Sequence, residues 1–227
     1  MHGWSKLTLI AALLAYVPSL KAQQVRAGIK VGGQITDALS AAPAVVPPSP
    51  DFNHFTWGPV AEVILTHGLG FEFGAFHKHY AYSFLIIGPL HNPIGIVDTH
   101  IGYWDFPLLV KWQTGKHPLA PFVAGGLAHR HTNGTGLRPM PNPELIQNPD
   151  RNPVRDILLN RWTRGAVVGG GVTYAAGPFR LTPEIRYTHW TKPALEVPIL
   201  LVTGPANAWQ TNRNQLDVLL GLTVGKR

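Results

Sequence analysis

Within several short segments of this chain the charged side chains fall on one set of alternate positions, and the other set is mostly apolar. Successive side chains of an extended strand point to opposite faces, so these charges would share one face of each strand. Twelve residues have this placement, seven of them basic and five acidic: Arg26, Lys30, Glu62, Glu72, Lys78, Asp105, Lys111, Arg130, Arg180, Glu184, Arg186 and Asp217. An enclosed interior would force them to pair, because an isolated buried charge is very costly. The pattern predicts either a salt-bridged structural interior or the lining of a narrow ion-conducting lumen.

Nucleophilic catalysis has little support in the sequence. A serine hydrolase needs a serine that a histidine activates, and beyond residue 22 the serines are Ser40, Ser49 and Ser83. Of these, only Ser83 lies near a strand end with histidines close by, at His77 and His79. We therefore expect no catalytic residue, and a lipid-modifying enzyme that uses Ser83 is a distant alternative.

Two pairs of histidines, His77 with His79 and His129 with His131, each place two imidazoles on one face of a strand. Neither pair has a cysteine or a carboxylate beside it at ligand spacing, so the sequence predicts no metal site. Gly169-Gly-Gly171 resembles a phosphate-binding loop, but neither a Lys-Ser/Thr pair nor a helix follows it. Close strand packing is the better interpretation of these glycines, and we expect no cofactor.

The elements that must position these side chains are short strands, most clearly in the last segment, residues 214–224. Its even positions from 216 to 224 are all aliphatic, whereas Gln215 and Asp217 share the other face. The same period of two recurs in about seven further segments: 25–31, 57–66, 69–78, 104–112, 123–130, 166–174 and 179–187. Phe122 disturbs the alternation of the fifth segment. Pro107 and Pro183 fall inside strands, where each removes a ladder hydrogen bond and predicts a bulge or a register shift.

The connections between the segments alternate strictly in length. Residues 37–55, 79–100, 131–160 and 191–211 form long connections rich in Pro, Asn and Gly, and short turns at 66–68, 114–117 and 176–178 separate them. Bacterial outer-membrane barrels combine short periplasmic turns with longer extracellular loops. The pattern therefore predicts an all-β fold, an eight-stranded antiparallel up-and-down transmembrane β-barrel with both termini in the periplasm.

The strand number also bears on the interior and on the loops. Eight strands leave an interior about wide enough for side chains to fill, which favours a plugged polar core over a narrow pore. Two apolar runs fall inside the long connections, at Phe84-Leu-Ile-Ile87 and Val197-Pro-Ile-Leu-Leu-Val202. They are either extensions of strands above the membrane or a surface for a partner.

Aromatic residues near the strand ends predict the two girdles of such a barrel, formed by Trp104, Trp112, Trp162, Tyr174, Phe179 and Tyr187. Trp104 and Trp112 share a face eight residues apart, as do Phe179 and Tyr187. At about 3.3 Å per residue and a tilt of about 40°, eight residues rise about 20 Å along the barrel axis. This rise approximates the height of the apolar band between two girdles.

The N-terminal residues indicate export. Lys6 precedes an apolar run of 11 residues, which is too short to span a bilayer, and Ala22 offers a small residue for cleavage. We expect a signal peptide at 1–22 and a barrel domain at 23–227. The chain has no cysteine, and no later segment is long and apolar enough for a transmembrane helix. Its net charge of +7 is spread along strands and loops without a basic run, so nucleic acid is not an expected partner.

Several strands resemble those of the small porin-type, OmpA-like outer-membrane β-barrel domain family, including its PorT-like branch. The similar segments are Val25-Arg-Ala-Gly-Ile-Lys-Val-Gly-Gly33, Phe106-Pro-Leu-Leu-Val-Lys111, Pro121-Phe-Val-Ala-Gly-Gly-Leu127, Leu181-Thr-Pro-Glu-Ile-Arg-Tyr187 and the last strand. The resemblance implies a barrel in a bacterial outer membrane, with outer-membrane lipids and the barrel insertion machinery as partners. It brings no catalytic residues. Such barrels commonly end on an aromatic residue, whereas this chain ends Thr223-Val-Gly-Lys-Arg227.

The expected function is a structural or loop-mediated binding role, with an extracellular ligand reached through the four long connections. The main alternative is a narrow porin-like pore for small solutes or ions.

Overall fold

The computed structural model describes residues 24–40, 49–50, 55–87, 93–114, 118–139, 160–197 and 209–225. Eight barrel strands occupy most of this part of the chain, and the third consists of two segments. They are β1 (Gln24–Gln34), β2 (Phe55–Ile64), β3 (Leu69–Gly74 and Phe76–Ile87), β4 (Pro93–Gln113), β5 (Leu119–Pro139), β6 (Trp162–Ala176), β7 (Phe179–Trp190) and β8 (Asn214–Gly225). The predicted signal peptide at 1–22 lies outside the described residues.

Each strand pairs antiparallel with its sequence neighbours, and β8 pairs with β1, so the sheet closes on itself. The prediction of an eight-stranded antiparallel β-barrel is confirmed. Paired residues followed once around the barrel from Gln24 return to β1 at Gln34, a shear of ten residues. The path runs Gln24, Ile64, Gly70, Lys111, Ala124, Gly169, Arg186, Asp217, Gln34. A shear of this size in eight strands corresponds to strands tilted about 40° from the barrel axis.

The two ends of the barrel differ in their connections. At the turn end, a short 3-10 turn (Thr66–Gly68) joins β2 to β3, and Gly177-Pro178 joins β6 to β7. Gly177 has φ of 61° with open space around its Cα, so the turn uses the backbone freedom of glycine. The loop end carries the connections that follow β1, β3, β5 and β7. None of the described residues forms a helix long and apolar enough to cross a membrane.

Burial alternates residue by residue along the strands, and β7 follows this pattern without a break from Phe179 to Trp190. Buried charged and hydroxyl side chains face the lumen together with some buried apolar ones, whereas the outward face carries, among the described residues, 25 large apolar side chains that are 39–63% exposed. Phe122, which disturbed the pattern in the sequence, faces the lumen and is 4% exposed. This distribution inverts that of a soluble β-sandwich and matches a barrel surrounded by hydrocarbon.

The predicted bounds of two long connections, 79–100 and 131–160, are wrong. Most of 79–100 is a hairpin, because β3 and β4 stay paired from Phe76 with Asp105 to Ile87 with Pro93. Likewise β5 runs on to Pro139 and pairs with β4 as far as Val97. The Gly, Pro and Asn content of these segments suggested loops, but three adjacent strands satisfy one another's backbone groups beyond the barrel wall. The apolar run at 84–87 therefore lies on β3, while 198–202 lie outside the described residues.

The other long connections contribute short pieces of sheet. Leu39–Ser40, Glu196–Val197 and Trp209–Thr211 form a separate three-stranded sheet that links the first connection to the last. Ser49–Pro50 pairs with β3 at Ser83 and Tyr82. The first and last connections are thus tied together at the loop end next to the seam between β1 and β8.

The expected bulges at Pro107 and Pro183 are wrong. The described strands shift register between Ile86 and Ile87 and between Ile101 and Gly102, away from both prolines. Pro107 lies opposite the interruption of β3, and the pairs on either side of it, Phe73 with Leu108 and Phe76 with Asp105, keep one register. At Pro183 the β6–β7 ladder omits two pairs, but Leu181 and Glu184 keep the same register on either side.

Candidate functional site: the ion-paired lumen and the outer surface

The centre of the lumen holds a closed ring of four charged side chains. Lys30 Nζ lies 2.7 Å from Glu72 Oε1 and 2.5 Å from Glu184 Oε2. Arg186 Nη2 contacts the same two carboxylates, at 2.7 Å from Glu72 Oε1 and 2.6 Å from Glu184 Oε1. The four side chains come from β1, β3 and β7, and none is more than 4% exposed. The ring therefore crosslinks strands that are distant in sequence.

Toward the turn end the network continues through Lys111. Its Nζ lies 2.6 Å from Glu62 Oε1 and 3.7 Å from Glu72 Oε2, and it sits 4.0 Å above the ring of Phe122. Arg26 Nη1 then lies 3.6 Å from the other oxygen of Glu62. Glu72 and Glu62 each face more than one cation, which offsets the cost of burying these charges.

Toward the loop end a second network surrounds Asp105. Arg130 donates from Nε and Nη2 to the two oxygens of Asp105 at 2.6 and 2.8 Å, a bidentate pair. Lys78 lies 3.5 Å from Asp105 Oδ2 and donates to both oxygens of Asp217 at 2.9 and 2.8 Å. Because Asp217 is directly opposite Arg186 across β7 and β8, the two networks adjoin.

Aromatic rings close the lumen around Arg130. Its guanidinium lies 4.0 Å from the ring of Trp190 and 4.6 Å from that of Tyr103, both distances in the range of cation–π contacts. Gln215 Oε1 accepts hydrogen bonds from Arg130 at 2.7 Å and from Trp190 Nε1 at 3.0 Å. Trp190 and Gln215 stand at the loop ends of β7 and β8, so this layer blocks that mouth of the barrel.

All twelve charged residues singled out in the sequence face the lumen and are buried, and eleven form ion pairs with one another. The twelfth, Arg180, donates to the carbonyls of Gly177 and Phe179 at 2.7 and 2.9 Å near the turn end. Between the two networks lies a cavity of about 20 Å³, lined by Lys78, Asp105 and Asp217 among others. It holds about one water molecule. The geometry provides a filled, crosslinked core.

The six girdle aromatics all point outward. Trp112, Tyr174 and Phe179 lie at or near the turn ends of β4, β6 and β7, and they are 49–51% exposed. Trp162 and Tyr187 lie near the loop end. Trp104 is near the middle of β4, because that strand extends 11 residues beyond it on the loop side.

A row of alternating tryptophan and histidine rings crosses the outer surface of five adjacent strands. Trp57 pairs with His77, His77 with Trp104, Trp104 with His131, and His131 with Trp162. Ring centroids are 6.2 Å apart for Trp57 and His77, 5.1 Å for His77 and Trp104, and 4.3 Å for His131 and Trp162. The tryptophan–histidine row was missed in the sequence because it exists only across strands. The outward parity of each residue was its one visible signal.

The remaining candidates for chemistry do not converge. The described residues contain no group of three His, Cys, Asp or Glu side chains that could hold a metal ion. His129 lies opposite Arg164 on the outer face, and Ser83 pairs through its backbone with Ser49. The glycines at 169–171 lie in β6, where a Cβ at Gly171 would meet the carbonyl oxygen of Pro183 on β7. Their role in the fold is therefore close strand packing.

Known structures resemble this fold at low sequence identity. Neisserial surface protein A is 12% identical, with a TM-score of 0.45 over 88% of this chain and 95% of that chain. The outer membrane protein OprG from Pseudomonas aeruginosa is 9% identical, with a TM-score of 0.49 over 90% of this chain and 95% of that chain. The attachment invasion locus protein Ail of Yersinia pestis is 7% identical, with a TM-score of 0.44 over 89% of this chain and 98% of that chain. No protein-family model and no curated protein matches the sequence. The fold assignment therefore rests on the strand pairing of this chain.

Proposed function

We propose that this protein is an integral outer-membrane β-barrel with a plugged lumen, a structural role or a binding role at its loop end, and no catalytic activity. The observation that carries the proposal is the combination of an ion-paired, filled lumen with an apolar outer face. A soluble protein would expose its charges and bury its aliphatic residues, and this barrel does the reverse. Hydrocarbon around the barrel would stabilise its apolar outer face. The closed sheet also suits a membrane, because it leaves no backbone group unpaired at a sheet edge.

The filled lumen favours a scaffold or binder over a pore. An ion crossing the barrel would have to separate pairs such as Lys30–Glu184, at 2.5 Å, and Arg130–Asp105, at 2.6 Å. Breaking a buried pair costs about 3–5 kcal/mol, and the path contains several in series. The cavity between the two networks, at about 20 Å³, has room for about one water molecule.

Binding would use the loop end. The connections that follow β1, β3, β5 and β7 all start from this end of the barrel, and the paired extensions of β3, β4 and β5 belong to it. In the proposed orientation it faces the outside of the cell, as the longer loops of bacterial outer-membrane barrels do. Outer-membrane lipids and the barrel insertion machinery are the other proposed partners.

Planar-bilayer recording tests the proposal. The full chain, refolded in detergent and checked for a heat-dependent shift on an unboiled gel, is added to a phospholipid bilayer under voltage. The wild-type protein is expected to give no discrete conductance steps. The variant Arg130→Ala/Trp190→Ala removes the side chains that fill the loop-end layer, and it serves as the comparison with a wider lumen. Reproducible steps from the folded wild-type protein would overturn the plugged lumen and support the pore. A protein that stays soluble without detergent would overturn the membrane assignment.

A further inference from the structure

The tryptophan–histidine row (Trp57, His77, Trp104, His131 and Trp162) has no role in closing the barrel or filling its lumen. Its five side chains point away from the lumen, and Trp57 and Trp162 are 43% and 59% exposed. Outward positions nearer the middle of the barrel carry aliphatic residues, such as Leu127 on β5, Val168 on β6 and Leu220 on β8. Alternating imidazoles within a row of indoles therefore require a surrounding that is partly polar.

We propose that the tryptophan–histidine row binds the phosphorylated saccharide headgroup of an outer-leaflet lipid, an inference that rests on the proposed outer-membrane location. The flat faces of the three indoles offer apolar surface for the C–H faces of sugar rings. The imidazole nitrogens of His77 and His131 supply hydrogen bonds for hydroxyl or phosphate oxygens. A saccharide needs both kinds of contact, while an acyl chain needs only the first.

The slope of the row determines how far from the membrane core it reaches. The row follows the hydrogen-bonding direction, in which successive strands are about 4.8 Å apart, and this direction climbs toward the loop end at the tilt of the barrel. Four steps from Trp57 to Trp162 therefore raise the row by about 12 Å. Below Trp57 the outward residues of β2 are Pro59, Ala61 and Val63, and above it β2 has one more outward residue, Phe55, so the row starts near the loop-side edge of the apolar band.

The height that the row reaches above the hydrocarbon distinguishes a saccharide headgroup from an ordinary phospholipid headgroup as the group that covers it. A phospholipid headgroup layer is about 5–8 Å thick on each side of the hydrocarbon. Such a layer covers Trp57 and His77 but leaves His131 and Trp162 in water, where the ring pair at 4.3 Å would stand exposed. A headgroup of linked sugars extends far enough to cover the whole row.

Cations beside the row complement the phosphate. Arg164 is exposed and lies directly opposite His129, one outward position nearer the membrane than His131 and Trp162. The guanidinium of Arg164 can bind a phosphate with two parallel hydrogen bonds. His189 of β7 contacts Asn214 of β8 at 2.8 Å and Arg213, the residue before β8, at 3.4 Å. Arg213 donates from Nε to the carbonyl of Trp190 at 2.9 Å, and it is a second exposed arginine at the loop end. The outer surface is therefore cationic where a lipid phosphate would lie.

Lipid competition in nanodiscs tests the proposal. The full chain is reconstituted in nanodiscs of phosphatidylethanolamine and phosphatidylglycerol, diphosphorylated lipopolysaccharide is added, and the lipids retained by the released protein are counted by native mass spectrometry. The wild-type protein is expected to retain lipopolysaccharide over phosphatidylglycerol by about tenfold. The variant His131→Leu/Trp162→Leu is expected to lose most of this preference, and Arg164→Gln part of it. Trp112→Phe, at the other girdle, is the matched control and is expected to keep it.

Four results would overturn the proposal. The first two are a wild-type protein that shows no preference for lipopolysaccharide and a Trp112→Phe variant that loses the preference as much as the row variant does. The third is equal binding of the delipidated oligosaccharide. The fourth is a dimer that only the row variants dissociate, since a second copy of the chain would then cover the row. The heat-dependent gel shift of each variant separates these results from misfolding. A folded, lipid-inserted protein without preference would leave the proposed function standing, whereas loss of insertion in the wild-type protein would refute both.

Discussion

Asp105→Asn is the substitution for which the lumen network predicts the largest loss of stability. Asp105 is the carboxylate that holds Arg130, through two hydrogen bonds at 2.6 and 2.8 Å. The isosteric amide keeps the volume but removes the charge. Arg130, which is 1% exposed, would then keep Gln215 Oε1 and two aromatic rings around its guanidinium and no carboxylate. Lys78 would lose less, because Asp217 still binds it at 2.8 Å.

The expected loss in the free energy of unfolding follows from the buried guanidinium of Arg130 that is left without a carboxylate. Removing one partner of a buried ion pair costs about 3–5 kcal/mol, because the other charge stays buried without compensation. With a urea dependence of about 2 kcal/mol per molar, the unfolding midpoint would fall by about 2 M. The double variant Asp105→Asn/Arg130→Met removes this unpaired guanidinium as well. Its loss of stability is expected to be about 2 kcal/mol smaller than the sum of the losses in the two single variants.

The free energy of unfolding is measured for four proteins: the wild type, Asp105→Asn, Arg130→Met and the double variant. The assay is reversible urea unfolding in lipid vesicles, followed by tryptophan fluorescence and by the unboiled gel band. A loss below about 1 kcal/mol in Asp105→Asn would refute the reasoning, since that is the range of exposed pairs. So would strictly additive single losses, because they would show that the two side chains do not interact in the folded barrel.

Other predictions use the same unfolding assay. Glu72→Gln should cost less than Asp105→Asn, about 1–2 kcal/mol, because Lys30 and Arg186 keep Glu184 and Lys111 keeps Glu62; an equal or larger cost would contradict this. Leu220→Arg, in the middle of the outward face of β8, should cost about 2–4 kcal/mol, and Val224→Arg at its end about 0–1 kcal/mol; equal costs would argue against a bilayer around the barrel. Gly28→Ala should lower the folded fraction, because a Cβ there meets the backbone of Leu222 and Thr223 at the closing seam. Gly125→Ala, where a Cβ makes only one ordinary contact, serves as its control.

The strand pattern could be predicted from the sequence because lumen and lipid impose opposite demands on alternate residues. Glu62, Glu72 and Glu184 stand between outward apolar residues, and a one-residue error in parity would put each carboxylate into hydrocarbon. The strand number and the placement of both termini at the turn end follow from the same alternation and from the short turns. Composition was a poorer guide, since residues 79–87 and 93–100, which were expected to be part of a loop, pair as a hairpin.

Contacts between strands could not be predicted, because they depend on register. The sequence places Lys30, Glu72 and Glu184 on lumen faces, but which cation meets which carboxylate depends on a shear of ten residues. The tryptophan–histidine row is hidden for the same reason, since His77 and His131 are far apart in sequence and join one row only through Trp104. Pro107 is tolerated because of the interruption in a neighbouring strand, which its own sequence context does not reveal.

The most direct test of a filled barrel in a membrane is a single-cysteine scan along β8. The chain contains no cysteine, so each of positions 218–223 can carry one nitroxide label in lipid vesicles. Oxygen, which concentrates in hydrocarbon, and a charged, water-soluble relaxation agent report which phase each label meets. We expect labels at Val218, Leu220 and Leu222 to be accessible to oxygen. Cysteines at 219, 221 and 223 face the filled lumen and are expected to resist labelling in the folded barrel, and any label introduced there before folding is expected to be protected from both agents. Access of the water-soluble agent to the second set would contradict a plugged lumen, and loss of the two-residue period in oxygen access would contradict the membrane barrel.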